Sequence, residues 1–460
     1  MSETAYSYPV VLVNVSRSTN AISFPMGLSV IANSLLLQGI TPQIIDLITV
    51  DPANREKELK KRIPAEPAIY GFSLMIGNHH LDETERHVRI ILESSPESII
   101  VYGGSLPSSV PELLLENGCL CHYIVHGEGE ITFFELINLL RSGQEIPENF
   151  SGVFYRKNGE IRGTRNRRMR KLDRLSNPNF TLFDVEFYAN YFKETELSWE
   201  IMASRGCRAH CTFCYKFMGD GMSVRSVEDV MDEIEYIMNN HNIKRFYFVD
   251  ENFLQMKKYF LKFIEEKQRR NLVFDMYAQS RIDEIDEERC RVGSENGLRV
   301  ISTGVESVSE SVLEHINKNI SLSVAEEAIA RANRYGIRVH VNLILGFPGD
   351  SEKSCQDMID FVNKNQLYGR VKLHYLTPLP STELYLEVKQ NGFIDNDFEY
   401  VRKLNNLYWE RVVNMTQMSD EVLDHYYGII SEMGKQTRKG LTSEKYSNQV
   451  NAWNMYKVVN

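Results

Sequence analysis

The chain has 460 residues, 43% hydrophobic and 25% charged, with a formal net charge of -10. That balance excludes a disordered or fibrous protein, and the acidic excess argues against one that lives by gripping nucleic-acid phosphate. At roughly 150 residues per domain the length suggests about three domains.

No stretch reaches the roughly 18 uninterrupted apolar residues of a spanning helix, and no cationic segment precedes the first apolar run, so a cytoplasmic location is expected. Residues 1–145 alternate short β-branched runs with amphipathic stretches: VVLVNV, GLSVIANSLLLQG, PQIIDL, AIYGFSL, ERHVRIILES, SIIVYGG, PELLLEN, HYIVHGEGE and ITFFELINLLR. Strand and helix signals in alternation predict an α/β unit, a doubly wound, Rossmann-like parallel sheet with helices on both faces. Ligands of such sheets sit beyond the carboxyl ends of the strands, where Pro25–Leu28, Gly71–Asn78, Gly103–Ser109 and Gly127–Glu130 fall.

Residues 146–194 read as a linker with a hairpin, SGVFYRKNGEIRG, a basic run, TRNRRMRKLDRL, and the irregular SNPNFTLFD. The basic run could meet a phosphate or an acidic substrate, but solvated linker charge is the reading adopted. Residues 195–393 return to alternation, with strand candidates WEIMAS, RFYFVD, FDMYAQS, RVISTGVES, RVHVNLILG and RVKLHYLTP. Six βα units predict a partial (β/α)6 barrel with its functional groups at the top. Residues 394–460 form a C-terminal helical segment, with WERVVNM and EVLDHYYGIISEMGK as helices and a frayed end after Lys439. Its aromatics Tyr408, Trp409, Tyr426 and Tyr427 could cap a planar substrate, although such residues at helical spacing are more often core.

The seven cysteines are an odd, modest number for a secreted disulfide framework. Three of them, Cys207, Cys211 and Cys214, fall within eight residues, while Cys119, Cys121, Cys290 and Cys355 are scattered. A structural zinc site needs four protein ligands, and His210 could be the fourth. Alternatively, three thiolates on one loop bind three corners of a 4Fe-4S cube and leave the fourth iron open for chemistry. The loop follows the first strand of the barrel series, where barrel enzymes place reactive groups.

CRAHCTFC resembles the C-x3-C-x-aromatic-C motif of the radical S-adenosylmethionine superfamily, with Phe213 as the aromatic, and the resemblance extends from about Trp199 to Leu384. RGC, VRSVEDVMDEI, VDENF, SRIDEID, GVESVSESVLEHINK and LILGFPGD resemble further signatures of that family. The resemblance implies a 4Fe-4S cluster on the three cysteines and S-adenosylmethionine chelated to the open iron, whose C–S bond is broken to give a 5'-deoxyadenosyl radical. It further implies S-adenosylmethionine contacts from Phe213, Asp250, Glu251, Glu306 and Gly346, and an electron donor such as flavodoxin or ferredoxin. The acids could equally be helix N-terminal charges, and Gly346 a turn residue. Arg208 stands where many relatives carry proline.

FPMGLSVIANSLLLQG, YGFSLM, VYGGSLPSSVPELL and VHGEGEITFFELINLL resemble the cobalamin-binding domain of one subgroup, which includes anaerobic protoporphyrin ester cyclase-like enzymes and radical methyltransferases. The implied cobalamin contacts are Pro25, Gly27, Gly71, Ser73, Asn78, Gly103, Gly104, Gly127 and Glu128. The D-x-H-x-x-G motif of a lower axial histidine is absent after the first strand, and His79, His80 and His126 are read as solvent or hydrogen-bonding residues. The expected activity is cobalamin-dependent radical methyl transfer to an unactivated carbon of a small-molecule or natural-product substrate. Oxidative cyclisation, ring contraction or rearrangement on the same scaffold is the alternative. A transfer-RNA methylthiotransferase would need three N-terminal cysteines where only Cys119 and Cys121 occur; a non-catalytic cobalamin- or metal-binding regulator is a further reading.

Overall fold

The computed structural model describes residues 8–15, 22–77, 79–165, 168–169, 172, 174–216, 218–219, 221–404 and 410–435. Asn78, Tyr408, Trp409 and the stretch after Lys439 lie outside them.

The first sheet contains β1 (Val10–Asn14), β2 (Gln43–Asp46), β3 (Ile69–Ser73), β4 (Ile99–Gly103), β5 (Tyr123–Val125), β6 (Val153–Lys157) and β7 (Glu160–Gly163). Its order is β2-β1-β3-β4-β5-β6-β7. The first five strands are parallel, as the βα alternation predicts, and β1 and β3 flank the switch point where ligands of this topology bind. The hairpin expected in the linker instead extends this sheet, β6 pairing antiparallel with β5.

The second unit contains β8 (Trp199–Ile201), a short antiparallel pair β9 (Ser204–Arg205) and β10 (Ser223–Val224), then β11 (Arg245–Phe248), β12 (Asp275–Gln279), β13 (Leu298–Glu306), β14 (Arg338–Leu345) and β15 (Val371–Tyr375). Its six-stranded sheet runs β15-β14-β13-β12-β11-β8. All neighbours in it are parallel, so it is the open barrel expected from six βα units. Alternation explains the strands. In RVHVNLIL, Val339, Val341, Leu343 and Leu345 are fully buried against the helices, each such burial contributing roughly 1.5–3 kcal/mol. His340, Asn342 and Ile344 then share the opposite, concave face. Side-chain caps set the starts of the crossover helices: Ser226 before Val227–His241, Asp286 before Glu287–Glu295, Ser321 before Leu322–Arg334 and Ser351 before Glu352–Lys364.

An aromatic seam joins the two units. Phe24, beyond β1, packs on Trp199 of β8 at 5.3 Å and on Tyr188 at 5.4 Å. Tyr188 lies on the helix Val185–Glu194, and its hydroxyl donates to Asp46 Oδ2 at 2.7 Å. At the other end, Asp420–Lys435 is the helix expected there, and its Tyr427 stacks on Tyr375 at 3.8 Å. WERVVNM is not helical in its described residues 410–415. Asn414 instead accepts from Thr416 N and donates to Met418 O and Asp420, a side-chain turn that competes with helical backbone bonding. No helix among the described residues is long and apolar enough to cross a membrane.

Candidate active site

The loop bearing the three cysteines leaves β9 and returns to β10 above the barrel. All three are free thiols. Cys214 is exposed as a residue, yet protein atoms around its sulfur raise its thiol pKa by desolvation, and the neighbouring Cys211 and Cys207 raise it further. Arg281 Nη1 donates to Cys211 Sγ at 3.5 Å, placing a guanidinium beside the thiols. Among the described residues no three His, Cys, Asp or Glu side chains converge on a single-ion site. Zinc, at about 2.3 Å from each sulfur, demands such convergence, whereas a cube gives each thiolate its own iron. His210 is exposed, with its Nδ1 3.5 Å from Lys216 Nζ. Three mutually interacting thiols on one loop supply a thiolate to each of three irons of a cube.

The loop is tied down on several sides. Thr212 N donates to Ile316 O and Leu384 N to Thr212 O, while Asn317 Nδ2 reaches His210 O at 2.7 Å. Gln255 Nε2 donates to Gly206 O at 2.9 Å and its Oε1 accepts from Arg208 N. Phe213 meets Phe347 edge-on at 5.9 Å, and Lys318 Nζ lies 6.0 Å from its ring. Tyr215, directly after Cys214, donates its hydroxyl to Ser105 O at the start of the short helix Ser105–Ser109 beyond β4, so the cysteine loop touches the rim of the first sheet.

The acids named from sequence divide. Asp250 is buried, accepting from Ala203 N at 3.0 Å and Ser204 Oγ, and burial pushes its pKa up to about 7. Both of its oxygens serve the strand that leads into the cysteine loop. Glu251 is exposed and accepts from Gly206 N at 2.9 Å. Glu306 ends β13 at a register shift with φ of 71°, and pairs with Lys318 Nζ at 2.9 Å. Gly346 adopts φ of 113°, and Asp350 Oδ2 accepts from both Gly346 N and Phe347 N at 3.0 Å. That turn needs the glycine.

On the first sheet, the expected cobalamin residues other than Asn78, which lies outside the described residues, gather at the carboxyl edge with two exceptions. A Cβ on Gly27 would come 3.7 Å from Ser73 Oγ, and one on Gly104, at φ of 95°, would come 3.0 Å from the same atom and 2.5 Å from Leu74 O. Gly103 ends β4, Pro25 precedes the helix Met26–Leu37, and Gly127 N donates to Ser108 Oγ at 2.8 Å. Gly27, Ser73 and Gly104 thus lie together, while Pro25, Gly103 and Gly127 stand at the ends of neighbouring strands along the same carboxyl edge, where ligands of such sheets bind. Gly71 lies elsewhere, buried where a Cβ would meet Leu12 at 2.9 Å and Phe133 at 3.1 Å; its bareness serves core packing. Glu128 is also turned away from the rim. Its fully buried carboxylate pairs with Arg205 Nη1 at 3.0 Å, and Glu130 pairs with the same nitrogen at 2.7 Å. His80 Nδ1 accepts from Met75 N at 2.9 Å, and His126 packs on Phe154 at 5.7 Å.

Two further groups escaped the reading of the sequence. The concave wall of the barrel carries polar residues at alternate positions: Tyr247 beside Glu200, Gln279 beside Ser302, Asn342 beside Lys372. Gln279 Nε2 donates to Tyr247 OH at 2.6 Å. Burial lowers Lys372 to about 8 and His340 to about 3. Polar letters alternating with Val and Leu in RVHVNLIL and RVKLHY were the available signal. The second is Arg168 in the basic run, read as solvated, whose guanidinium instead reaches four backbone carbonyls at the base of the cysteine loop.

Comparison with known proteins agrees with this geometry. Residues 201–362 match the Radical SAM superfamily and residues 14–137 the B12 binding domain. The chain thus carries a radical S-adenosylmethionine domain preceded by a B12 binding domain. It is 26% identical over 377 residues to an uncharacterized methyltransferase of Pyrococcus horikoshii, covering 81% of this chain and 80% of that one. It is 24% identical to the anaerobic magnesium-protoporphyrin IX monomethyl ester cyclase of Rubrivivax gelatinosus, over 87% of this chain and 73% of that one. Its fold is similar to that of the radical S-adenosylmethionine methyltransferase TsrM from Kitasatospora setae, solved with cobalamin and a 4Fe-4S cluster, with a TM-score of 0.71 and 17% identity over 84% of this chain and 75% of that one. The protein is a radical S-adenosylmethionine enzyme whose cofactors are a 4Fe-4S cluster, S-adenosylmethionine and cobalamin.

Proposed function

We propose that this protein places a methyl group of S-adenosylmethionine on an unactivated carbon of a small-molecule substrate, with cobalamin as methyl carrier. The observation that supports the reading most is the contact of Tyr215 with Ser105 O, because the residue after Cys214 then abuts the glycine and serine rim beyond β4. When bound, the cluster supplies the electron that breaks the C–S bond of S-adenosylmethionine, and cobalamin carries the methyl group.

In this reading Cys207, Cys211 and Cys214 hold the cluster. Phe213 and Glu251 border S-adenosylmethionine, Glu306 is held for the same site by Lys318, and Gly346 keeps its turn open. Asp250 shapes the approach to the loop. Pro25, Gly27, Ser73, Gly103, Gly104 and Gly127 line the cobalamin rim. The polar wall of Tyr247, Gln279, Asn342 and Lys372 gives the substrate hydrogen-bonding partners, and the two facing units hold it within reach while excluding water. The electron comes from a small redox protein such as flavodoxin or ferredoxin.

Anaerobic incubation with S-adenosylmethionine labelled in its methyl group tests the proposal. Label in the cobalamin fraction, and in product once substrate is supplied, is expected. The identity to a cyclase favours oxidative cyclisation as the second reading, which yields 5'-deoxyadenosine with no label in product. Cys211→Ala is expected to abolish 5'-deoxyadenosine formation while cobalamin still binds; continued formation would overturn the ligand assignment.

A further inference from the structure

The basic run between the two units holds a residue whose geometry linker charge does not explain. Arg168 Nη1 donates to Met218 O at 2.8 Å and Gly219 O at 3.1 Å, and its Nη2 donates to Arg205 O and Gly221 O, each at 3.0 Å. One acceptor precedes the cysteines and three follow them, so a single guanidinium bridges both ends of the loop. The β9–β10 ladder beside it is only two residue pairs long, too short to hold the ends alone. The crossing is also tight: at Gly206, with φ of 94°, a Cβ would come 2.7 Å from Arg168 Nη2 and 2.1 Å from Gly221 O.

The next residue secures the brace to the first sheet. Met169 N donates to the Glu128 carboxylate, and Met169 O accepts from Ser223 Oγ of β10. Glu128 and Glu130 in turn pair with Arg205, the residue two before Cys207. A planar, always charged fork with five donors can satisfy four carbonyls at once; an ammonium is a compact point charge and cannot span them.

We propose that Arg168 is a positioning residue for the cluster: it clasps the base of the cysteine loop, holding the three thiolates in the spacing a cube requires and tying that loop to the cobalamin-binding unit. The inference rests on Cys207, Cys211 and Cys214 being the ligands. Arg168 touches neither iron nor substrate. Its loss leaves all three thiols in place, so the cluster still assembles but sits in a loop whose ends can part.

The test uses the full chain reconstituted anaerobically with iron and sulfide, following iron release to a ferrous chelator and the electron paramagnetic resonance spectrum of the reduced cluster. Arg168→Ala is expected to load iron, release it about tenfold faster or more, and show a broadened spectrum, since several charged hydrogen bonds are lost. Arg168→Lys should fall between it and the parent. Low-millimolar guanidinium should slow release from Arg168→Ala only, a rescue that general destabilisation would not produce. Arg162→Ala, on the exposed hairpin, should match the parent. Parental release rates and spectra in both Arg168 variants would overturn the clasp. Should Arg168→Ala fail to fold or load, the release rate of Arg168→Lys decides alone. Cys211→Ala separates the two ideas: a full cluster signal in that variant rejects the ligand assignment on which the clasp rests, whereas parental behaviour of both Arg168 variants, with the signal lost in Cys211→Ala, rejects the clasp alone.

Discussion

Removing the charge of Arg205 would expose how firmly the two units are bound. Its side chain is 7% exposed, and those of Glu128 and Glu130 are 0% and 3% exposed, with one nitrogen 3.0 and 2.7 Å from the two carboxylates. In Arg205→Met both acids lose their cation while remaining out of water, and breaking a buried pair in this way costs about 3–5 kcal/mol. At about 1.4 kcal/mol per tenfold, the folded-to-unfolded ratio falls by roughly two to three and a half orders of magnitude. Much of that cost is the desolvated charge left behind rather than the worth of the pair, so Glu128→Gln and Glu130→Gln added to Arg205→Met should recover more than half of it. Urea unfolding of the cluster-free chain, followed by far-UV circular dichroism at neutral pH, gives both differences. A loss below about 1 kcal/mol in Arg205→Met, the range of exposed ion pairs, would refute the reasoning.

Other expectations rest on separate features. Burial, followed by the charges of Arg338 and Arg370, lowers the folded pKa of His340 to about 3 from 6.5. The unfolded chain therefore takes up a proton that the folded one refuses, and stability falls as pH drops from 6.5 toward 3, by up to about 1.4 kcal/mol per unit. His340→Asn should flatten the pH dependence of the urea midpoint in that window; an unchanged slope would count against a buried neutral histidine. Gly104→Ala forces a side chain into φ of 95° and within 2.5 Å of Leu74 O, whereas Gly39→Ala at φ of 85° meets nothing within 4 Å. The first should cost at least about 2 kcal/mol and weaken cobalamin retention on gel filtration, the second about 1 kcal/mol with retention unchanged. Lys318→Met strands the carboxylate of Glu306, so a loss of about 3 kcal/mol in thermal unfolding is expected, largely reversed by adding Glu306→Gln.

Local pattern decided what local pattern can. The period-two alternation of Val and Leu in RVHVNLIL is a property of a few consecutive residues, so the strands, the parallel pairing of the βα units and the C-x3-C-x2-C loop were legible from the chain alone. The same reasoning mistook WERVVNM for a helix because apolar spacing does not reveal that Asn414 turns the backbone against itself. It assigned Glu128 to a cofactor because a G-E-G-E loop at a strand end looks alike whether its carboxylate faces a ligand or a partner 77 residues away. Arg168 was one arginine among several in a charged run, and only folding brought the carbonyls of residues 205 and 218–221 around it. Sequence thus determined which elements form and which thiols are present, since those depend on short-range sterics and spacing. Tertiary structure decided which buried charges meet and what closes the cysteine loop, because such pairings are selected by desolvation across segments the chain keeps far apart.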